Sequence, residues 1–434
     1  MKLHTRILLW LVLGTLTGAA MRAWLPAEFV VDEKGVARLA DGCALDTWLA
    51  PFRLAANVFM SLLRMLIVPL ILTSIVQGVA GIAGSRDFGR LGGKTLGYYV
   101  LTSLLAITTG LLAVNLFRPG VGADLPLAVP DHFEPGGGRS FADILERMIP
   151  QNVFEALSDN GLMLQVIFFA LLVGFFLARL PERHRRPLQE LFESGFALMM
   201  EIAGWVLSLI PYGVFALMVK VVGETGFGSF GDLLYYMAVV GLALLFHAAV
   251  VLPALLWFIA GVSPLRWFKA ALPALLTAFS TSSSSVTLPV TLRVVEERGR
   301  VSNKIASFTL PLGATINMDG TALYECLGVL FLSQFYASSG GFSLDLADQI
   351  YVVFTALLAS IGAAGIPSAG LVMMTAILSG LGLPIEGAVL LLAIDRPLDM
   401  MRTAVNVWSD TIAAAVVART EGEEVLTTAS SASP

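Results

Sequence analysis

Six apolar runs, at residues 6–25, 52–83, 95–117, 162–179, 191–222 and 233–262, fill most of the first 262 positions. At a helical rise of about 1.5 Å per residue, each can cross a hydrocarbon layer about 30 Å thick, and some exceed it. Only 14% of the 434 residues are charged, where a soluble domain carries roughly 25%. With 56% hydrophobic residues and a mean hydropathy of +0.80, lipid has to serve as solvent for much of the chain. The net charge of −5 argues against a nucleic-acid partner. Cys43 and Cys326 are far apart, which predicts neither a disulfide framework nor a thiol metal site. The start, MKLHTRILLWLVLGTLTGAAMRAW, has the basic–apolar–small order of a signal peptide. The many apolar runs behind it make an uncleaved first span the simpler reading.

Charge divides the linkers. Arg86, Arg90 and Lys94 follow the second run, and Arg179, Arg183, Arg185 and Arg186 follow the fourth. The loop from Arg118 to about Asn160 instead carries Asp124, Asp131, Glu134, Asp143 and Glu146. The positive-inside rule puts the N-terminus and the basic linkers in the cytoplasm and that loop outside.

Beyond residue 264 the pattern changes. In TAFSTSSSSVTLPVTLR (Thr277–Arg293) four serines interrupt two short apolar arms, Trp267–Phe279 and Val286–Val295. Arg293, Arg298, Arg300 and Lys304 follow, so the chain is expected to return to the face it left. The theme recurs where GAAGIPSAG (Gly362–Gly370) separates Ile350–Ile361 from Leu371–Leu383. Each predicted re-entrant hairpin precedes a helix with buried polar groups. Short, Gly/Pro-interrupted segments in matching positions of two halves point to a transporter's midplane site. Bare backbone at that depth is tolerated only inside protein or beside a water-filled cavity, which is where the serines belong. A Ser-rich flexible linker would be polar around its serines as well as within them.

The last helix carries the densest signal, AIDRPLDMMRTAVNVWSDTIAAAVVAR (Ala393–Arg419). With Asp399 as reference and about 100° per residue, Asp395, Arg402, Thr403, Asn406 and Asp410 all fall within about 60° of it. Val405, Val407, Trp408 and Ile412 lie on the opposite side. A charge at the bilayer centre costs about 2.5–3.5 kcal/mol on insertion scales, so a stripe of them reads as a pathway. The bland alternative is a set of internal ion pairs, Arg402 with Asp399 or Asp395. A guanidinium fork matches a carboxylate in two hydrogen bonds, and Asp399, one turn away, can pair with an ammonium. An amino acid satisfies both. Asn317, Asp319, Asn406 and Asp410 supply hard oxygens for a small cation, next to a helix that Asp319–Gly320 is expected to unwind.

These residues resemble the glutamate transporter family, the dicarboxylate/amino acid:cation symporters. The likeness runs from RMLIVPLI (Arg64–Ile71) to the last helix and rests on SSSSVTLPVT (Ser282–Thr291), NMDGT (Asn317–Thr321), ASIGAAGIP (Ala359–Pro367) and DMMRTAVNVWSD (Asp399–Asp410). It implies an all-α membrane protein with eight transmembrane helices, two re-entrant hairpins in inverted repeats, and an elevator-type transporter working as a homotrimer. The expected division is 1–94 (first two spans), 95–263 (third to sixth spans), 264–419 (transport core) and a disordered tail, 420–434. The resemblance implies a multi-pass carrier in the cell membrane, both termini cytoplasmic, importing L-aspartate or L-glutamate.

The substrate contacts it implies are Ser282, Ser283 and Ser284 at the first tip and Ala364, Gly365, Ile366 and Gly370 at the second. Arg402 takes the distal carboxylate, Asp399 the amino group, and Thr321, Thr403 and Asn406 complete the pocket. One implied sodium site uses Asp410, Asn406, Asn317 and the Gly313 carbonyl. A second uses carbonyls of Thr315, Met318, Ser360, Ile361 and Ala363. A third uses Asp319 and Asn317 with Tyr99, Thr102 and Ser103. Glu325 lies eight residues after Asn317, on roughly the same face. The family's proton- and potassium-coupled animal branch has glutamate there and a sodium-only archaeal branch has glutamine. Proton carriage and a plain core hydrogen bond are equally open for it, and potassium coupling is open with them.

Departures sharpen the picture. The second pocket arginine of many members would fall at Ser282 or Met400, and neither is basic. Arg396 is the nearest spare cation, as in the dicarboxylate branch, but that branch has serine where this chain has Asp399. An amino acid is therefore favoured over a C4-dicarboxylate, with a neutral amino acid as a further alternative. Ser409 replaces a usual glycine, and Pro397 is expected to bend the last helix. An intramembrane serine hydrolase would need a base beside the tip, and of His4, His132, His184 and His247 three fall in a terminus or loops. A conductive channel would need a continuous polar pore. The reading is a carrier, not an enzyme.

Overall fold

The computed structural model describes residues 3–31, 37–40, 42–83, 88–125, 127, 148–158, 162–225, 228–340, 346–362, 369–381, 383–384 and 386–426. Helix α1 (Leu3–Trp24) leads to a two-stranded antiparallel ribbon, Phe29–Val31 on Ala37–Leu39. Then come α2 (Ala44–Ala83), a π turn (Phe88–Gly92), α3 (Gly93–Phe117), the short α4 (Val153–Ser158) and α5 (Met163–Leu177). Next are α6 (Glu182–Ser208), α7 (Ile210–Thr225) and α8 (Gly228–Phe246), the last continued through a π turn (His247–Val251) into α9 (Leu252–Ala260). The remainder is α10 (Pro264–Thr281), α11 (Ser284–Glu297), α12 (Asn303–Ile316), α13 (Asp319–Gly340), α14 (Leu346–Gly362), α15 (Ala369–Leu381) and α16 (Glu386–Thr420).

Among the described residues two helical rods, Arg90–Phe117 and Gly231–Ala260, are each long and apolar enough to cross a membrane. They leave Leu112, Leu116, Leu242, Trp257 and Phe258 exposed, a surface that calls for an apolar solvent. The run 191–222, read from sequence as one span, is divided between α6 and α7, whose axes differ by 51°. Pro211 sits at the break, and without an amide hydrogen it cannot carry the ladder across. Pro253 follows the second π turn, where the Leu252 amide reaches back five residues to the His247 carbonyl. Pro397 does not end α16, which continues through it to Thr420.

The four short apolar arms are helical; three helices outrun them, and α15 matches its arm in length, shifted two residues towards the N-terminus. α10 packs on α11 and α14 on α15, and α16 runs between them, touching α3 and α8 to α13 as well as α15. α1 lies along α7, and α2 along α5, α6 and α7. Residues 421–426, assigned from the sequence to a disordered tail, are tied to the helix ends. The Lys94 ammonium donates to Glu421 Oε1 at 2.6 Å, and Arg90 pairs with the same carboxylate. The Lys94 bond, helped by Arg90, keeps that carboxyl below its ordinary range. Arg419 Nε donates to the Ala260 carbonyl at 2.9 Å, the Ser302 amide donates to Glu423 at 3.0 Å, and Val425 is buried. Residues 419–426 thus strap together the ends of α3, α9, α11 and α12. Residues 427–434 lie outside the described part.

Candidate functional site

The serine run forms the junction of α10 and α11. Ser282 ends α10 in the left-handed region (φ 52°, ψ 38°), and its amide closes on the Ala278 carbonyl at 2.8 Å. A residue with a Cβ rarely adopts that conformation without a reason. Ser283 turns extended and caps α11, its hydroxyl accepting the Val286 amide at 3.3 Å. Its carbonyl accepts the Thr287 hydroxyl at 2.8 Å. One helix thus ends on a backbone amide and the next begins on a hydroxyl cap, in adjacent residues. Ser282, Ser283 and Ser284 are all buried, and Ser282 Oγ has no hydrogen-bond partner among the described residues.

The break before α13 falls at Asn317–Met318, two residues earlier than Asp319–Gly320 suggested. Asp319 and Gly320 are instead the first turn of α13. The Gly320 amide donates to Asn406 Oδ1 of α16 at 2.7 Å, so a side chain from another helix caps an otherwise orphaned donor. A Cβ on Gly320 would stand 2.6 Å from the Arg402 carbonyl oxygen and 2.9 Å from its Cα, so glycine is needed for backbone contact between α13 and α16. Asn406 Nδ2 reaches Thr321 Oγ1 at 3.2 Å and the Met318 sulfur at 3.4 Å.

Around this break oxygens converge. Asn317 Nδ2 donates to Asp410 Oδ1 and to Ser409 Oγ, both at 2.9 Å, while its Oδ1 accepts Thr102 Oγ1 at 3.3 Å. Asp319 accepts Ser103 Oγ on Oδ1 (2.9 Å) and Ser409 Oγ on Oδ2 (2.6 Å). Tyr99 donates to the Thr309 carbonyl at 2.7 Å. A Cβ on Gly313 would stand 2.3 Å from Asp410 Oδ1 and 2.8 Å from the Tyr99 hydroxyl, so this glycine too is a cradle. Asn317, Asp319 and Asp410 are each at most 2% exposed. Thr315 and Ser360 bond within their own helices, to Leu312 O (2.9 Å) and Leu357 O (2.8 Å). Ile361 lies in α14. Ala363, Ala364, Gly365 and Ile366 lie outside the described residues.

Arg402, 1% exposed, is the centre of the charged stripe. Its Nη2 donates to Asp399 Oδ1 (2.8 Å) and Asp395 Oδ1 (3.0 Å), and its Cζ sits 3.9 Å over the Tyr324 ring. Arg396 Nη1 takes the other Asp399 oxygen at 3.3 Å. The internal ion pairs weighed from sequence are therefore present. They leave Arg402 Nε and Nη1 buried without a partner among the described residues. A Cβ at Gly370 would stand 2.5 Å from that Nη1, so the start of α15 closes over the fork. Thr403 Oγ1 donates to the Asp399 carbonyl at 2.8 Å. Both carboxyl oxygens of Glu325 are buried with no hydrogen-bond partner among the described residues.

Three participants were not singled out as site residues by sequence. Ser409, about 80° from Asp399 around the helix, sits just outside the stripe's edge. Tyr324 lies beneath the Arg402 guanidinium. His247, a lone imidazole in an apolar run, is fully buried with Nε2 3.6 Å from Asp319 Oδ2.

An almost wholly helical body with exposed apolar flanks, a helix broken at its centre and a buried charged chamber defines a membrane carrier. The chain belongs to the sodium:dicarboxylate symporter family, whose model matches residues 3–420. It is 33% identical over 376 residues to the proton/glutamate-aspartate symporter of Escherichia coli, covering 85% of this chain and 84% of the relative. Over 384 residues it is 32% identical to the proton/sodium-glutamate symport protein of Geobacillus stearothermophilus (87% and 89%). Over 425 residues it is 31% identical to human excitatory amino acid transporter 3 (86% and 80%).

Proposed function

We propose that the chain is a cation-coupled symporter that imports L-aspartate and L-glutamate. The observation that carries this is the state of Arg402: buried, anchored through Nη2 by two aspartates, with Nε and Nη1 unpartnered. A buried guanidinium with spare donors costs free energy until a carboxylate completes it. Such a fork takes the distal carboxylate, and Asp399, once Arg396 yields its oxygen, takes the ammonium. Thr321, Thr403 and Asn406 line the same chamber, with the tip serines Ser282, Ser283 and Ser284 and the second tip, Ala364 to Ile366 and Gly370, as its gates. Sodium is the driving ion. Asp410 with Asn317, Asn406 and Gly313 forms one site, and Asp319 with Asn317, Tyr99, Thr102 and Ser103 another. The carbonyls of Thr315, Met318, Ser360, Ile361 and Ala363 form a third. Relatives named for sodium, protons, glutamate and aspartate support this reading.

Eight spans, two re-entrant hairpins, an elevator movement, a homotrimer and cytoplasmic termini belong to the same proposal. It is supported by the paired helices on either side of α16 and by the basic linkers. The experiment is uptake of labelled L-aspartate and L-glutamate by the purified protein in liposomes, under a sodium gradient or a pH gradient alone. Sodium-dependent uptake is expected. Succinate uptake with no amino acid uptake would overturn the role of Asp399.

Glu325 is the proton carrier in this proposal, since a partnerless buried carboxyl suits a group that exchanges protons. Glu325→Gln is expected to keep sodium-driven substrate exchange while substrate-linked acidification of the vesicle lumen falls to background. Acidification at the wild-type rate would remove Glu325 from the pathway.

A further inference from the structure

We infer that Ser409 is a ligand of the transported cation. The residue belongs to none of the donor sets above. Its hydroxyl is fully buried and closes a ring of side chains from three helices. Thr102 Oγ1 meets Asn317 Oδ1 (3.3 Å), Asn317 Nδ2 meets Ser409 Oγ (2.9 Å), Ser409 Oγ meets Asp319 Oδ2 (2.6 Å), and Asp319 Oδ1 meets Ser103 Oγ (2.9 Å). Thr102 and Ser103 are neighbours on α3, so the ring is complete. Ser103 and Ser409 clasp the two oxygens of one carboxylate from opposite sides. His247 adds a fully buried Nε2, without a hydrogen-bond partner among the described residues, 3.6 Å from the same oxygen that Ser409 holds.

Hard cations are held by carboxylate, amide and hydroxyl oxygens. Ser409 supplies a neutral oxygen within hydrogen-bond distance of Asp319 Oδ2 and of the Asn317 amide nitrogen, so a cation drawn to Asp319 meets it. It also joins the ring to the other carboxylate, because the Asn317 amide nitrogen is shared between Ser409 and Asp410. A cation pulling on Asp319 therefore draws on the amide that braces Asp410. With glycine at 409 the ring would open between Asp319 and Asn317, and this link would be lost.

The inference rests on the sodium-coupled reading, and its test keeps the two apart. The full-length protein in lipid nanodiscs is titrated with sodium chloride, and separately with lithium chloride, at constant ionic strength while the melting temperature is followed. Ligand binding to the native state raises it with the logarithm of one plus the ratio of free ligand to its dissociation constant. Ser409→Ala and Ser409→Gly are expected to need about tenfold more sodium for the same rise, the loss of about 1.4 kcal/mol of binding. Their preference for sodium over lithium should also change, whereas Ser409→Thr, which keeps the hydroxyl, should follow wild type. A lowered melting temperature without salt, combined with unaltered sodium and lithium curves, would make Ser409 a structural brace and overturn the inference. Should the alanine and glycine variants not fold, Ser409→Cys preserves the volume while replacing a hard oxygen by a soft sulfur. An unchanged sodium curve in that variant overturns the inference as well. A wild-type protein indifferent to sodium would instead overturn the sodium-coupled reading itself.

Discussion

Arg402→Cys is expected to abolish uptake of L-aspartate and L-glutamate, with affinity falling by roughly 10²-fold or more. The estimate follows from removing one partner of a buried charged contact, which costs about 3–5 kcal/mol, at about 1.4 kcal/mol per factor of ten. Two effects combine. The substrate's distal carboxylate loses its fork, and Asp395 loses the cation that neutralises it. Asp399 fares better because Arg396 already holds its second oxygen. The amino-group site therefore outlasts the carboxylate site, and the variant should turn towards small neutral amino acids such as serine or cysteine. Competition assays in liposomes measure both changes. Glutamate affinity equal to wild type would refute the assignment of Arg402.

Asp410→Asn should raise the sodium concentration for half-maximal uptake by on the order of 10²-fold, because an anionic ligand is lost from a dry site. The amide is nearly isosteric and can still accept from Asn317 Nδ2, a bond of 2.9 Å in this structure. Folding should therefore survive, which separates the electrostatic loss from a packing defect. Sodium activation curves at saturating aspartate read the effect. A variant with the wild-type curve would leave Asp410 as a purely structural partner of Asn317.

The sequence made some of this legible and hid the rest for identifiable reasons. The face of α16 could be read because a 3.6-residue period places Asp395, Asp399, Arg402, Asn406 and Asp410 together without knowledge of any other helix. The helices α10, α11, α14 and α15 were legible because a serine run and a glycine-rich stretch interrupt apolar segments of similar length. What failed was the meaning of Gly320. It reads as a breaker beside Asp319, yet it lies within the first turn of α13 and serves backbone approach to Arg402. The actual break at Asn317–Met318 is satisfied by Thr102, Ser409, Asp410 and Asn406, residues far off in sequence that only tertiary structure assembles. His247 stayed hidden for the same reason: nothing near it in sequence announces Asp319. Pro211 and Pro397 show that proline alone does not decide a helix's course. The first sits at a division between helices and the second is absorbed within one.

The close seat of Gly320 against Arg402 has one more consequence. Where main chain touches main chain, no rotamer change can widen the gap, so the spacing between α13 and α16 acts as a fixed gauge. Chemical variety has to come from the rim instead: from the hydroxyl at 409, the base at 396 and the two tips. A carrier built this way can change its cargo by single substitutions without re-tooling the frame that measures it.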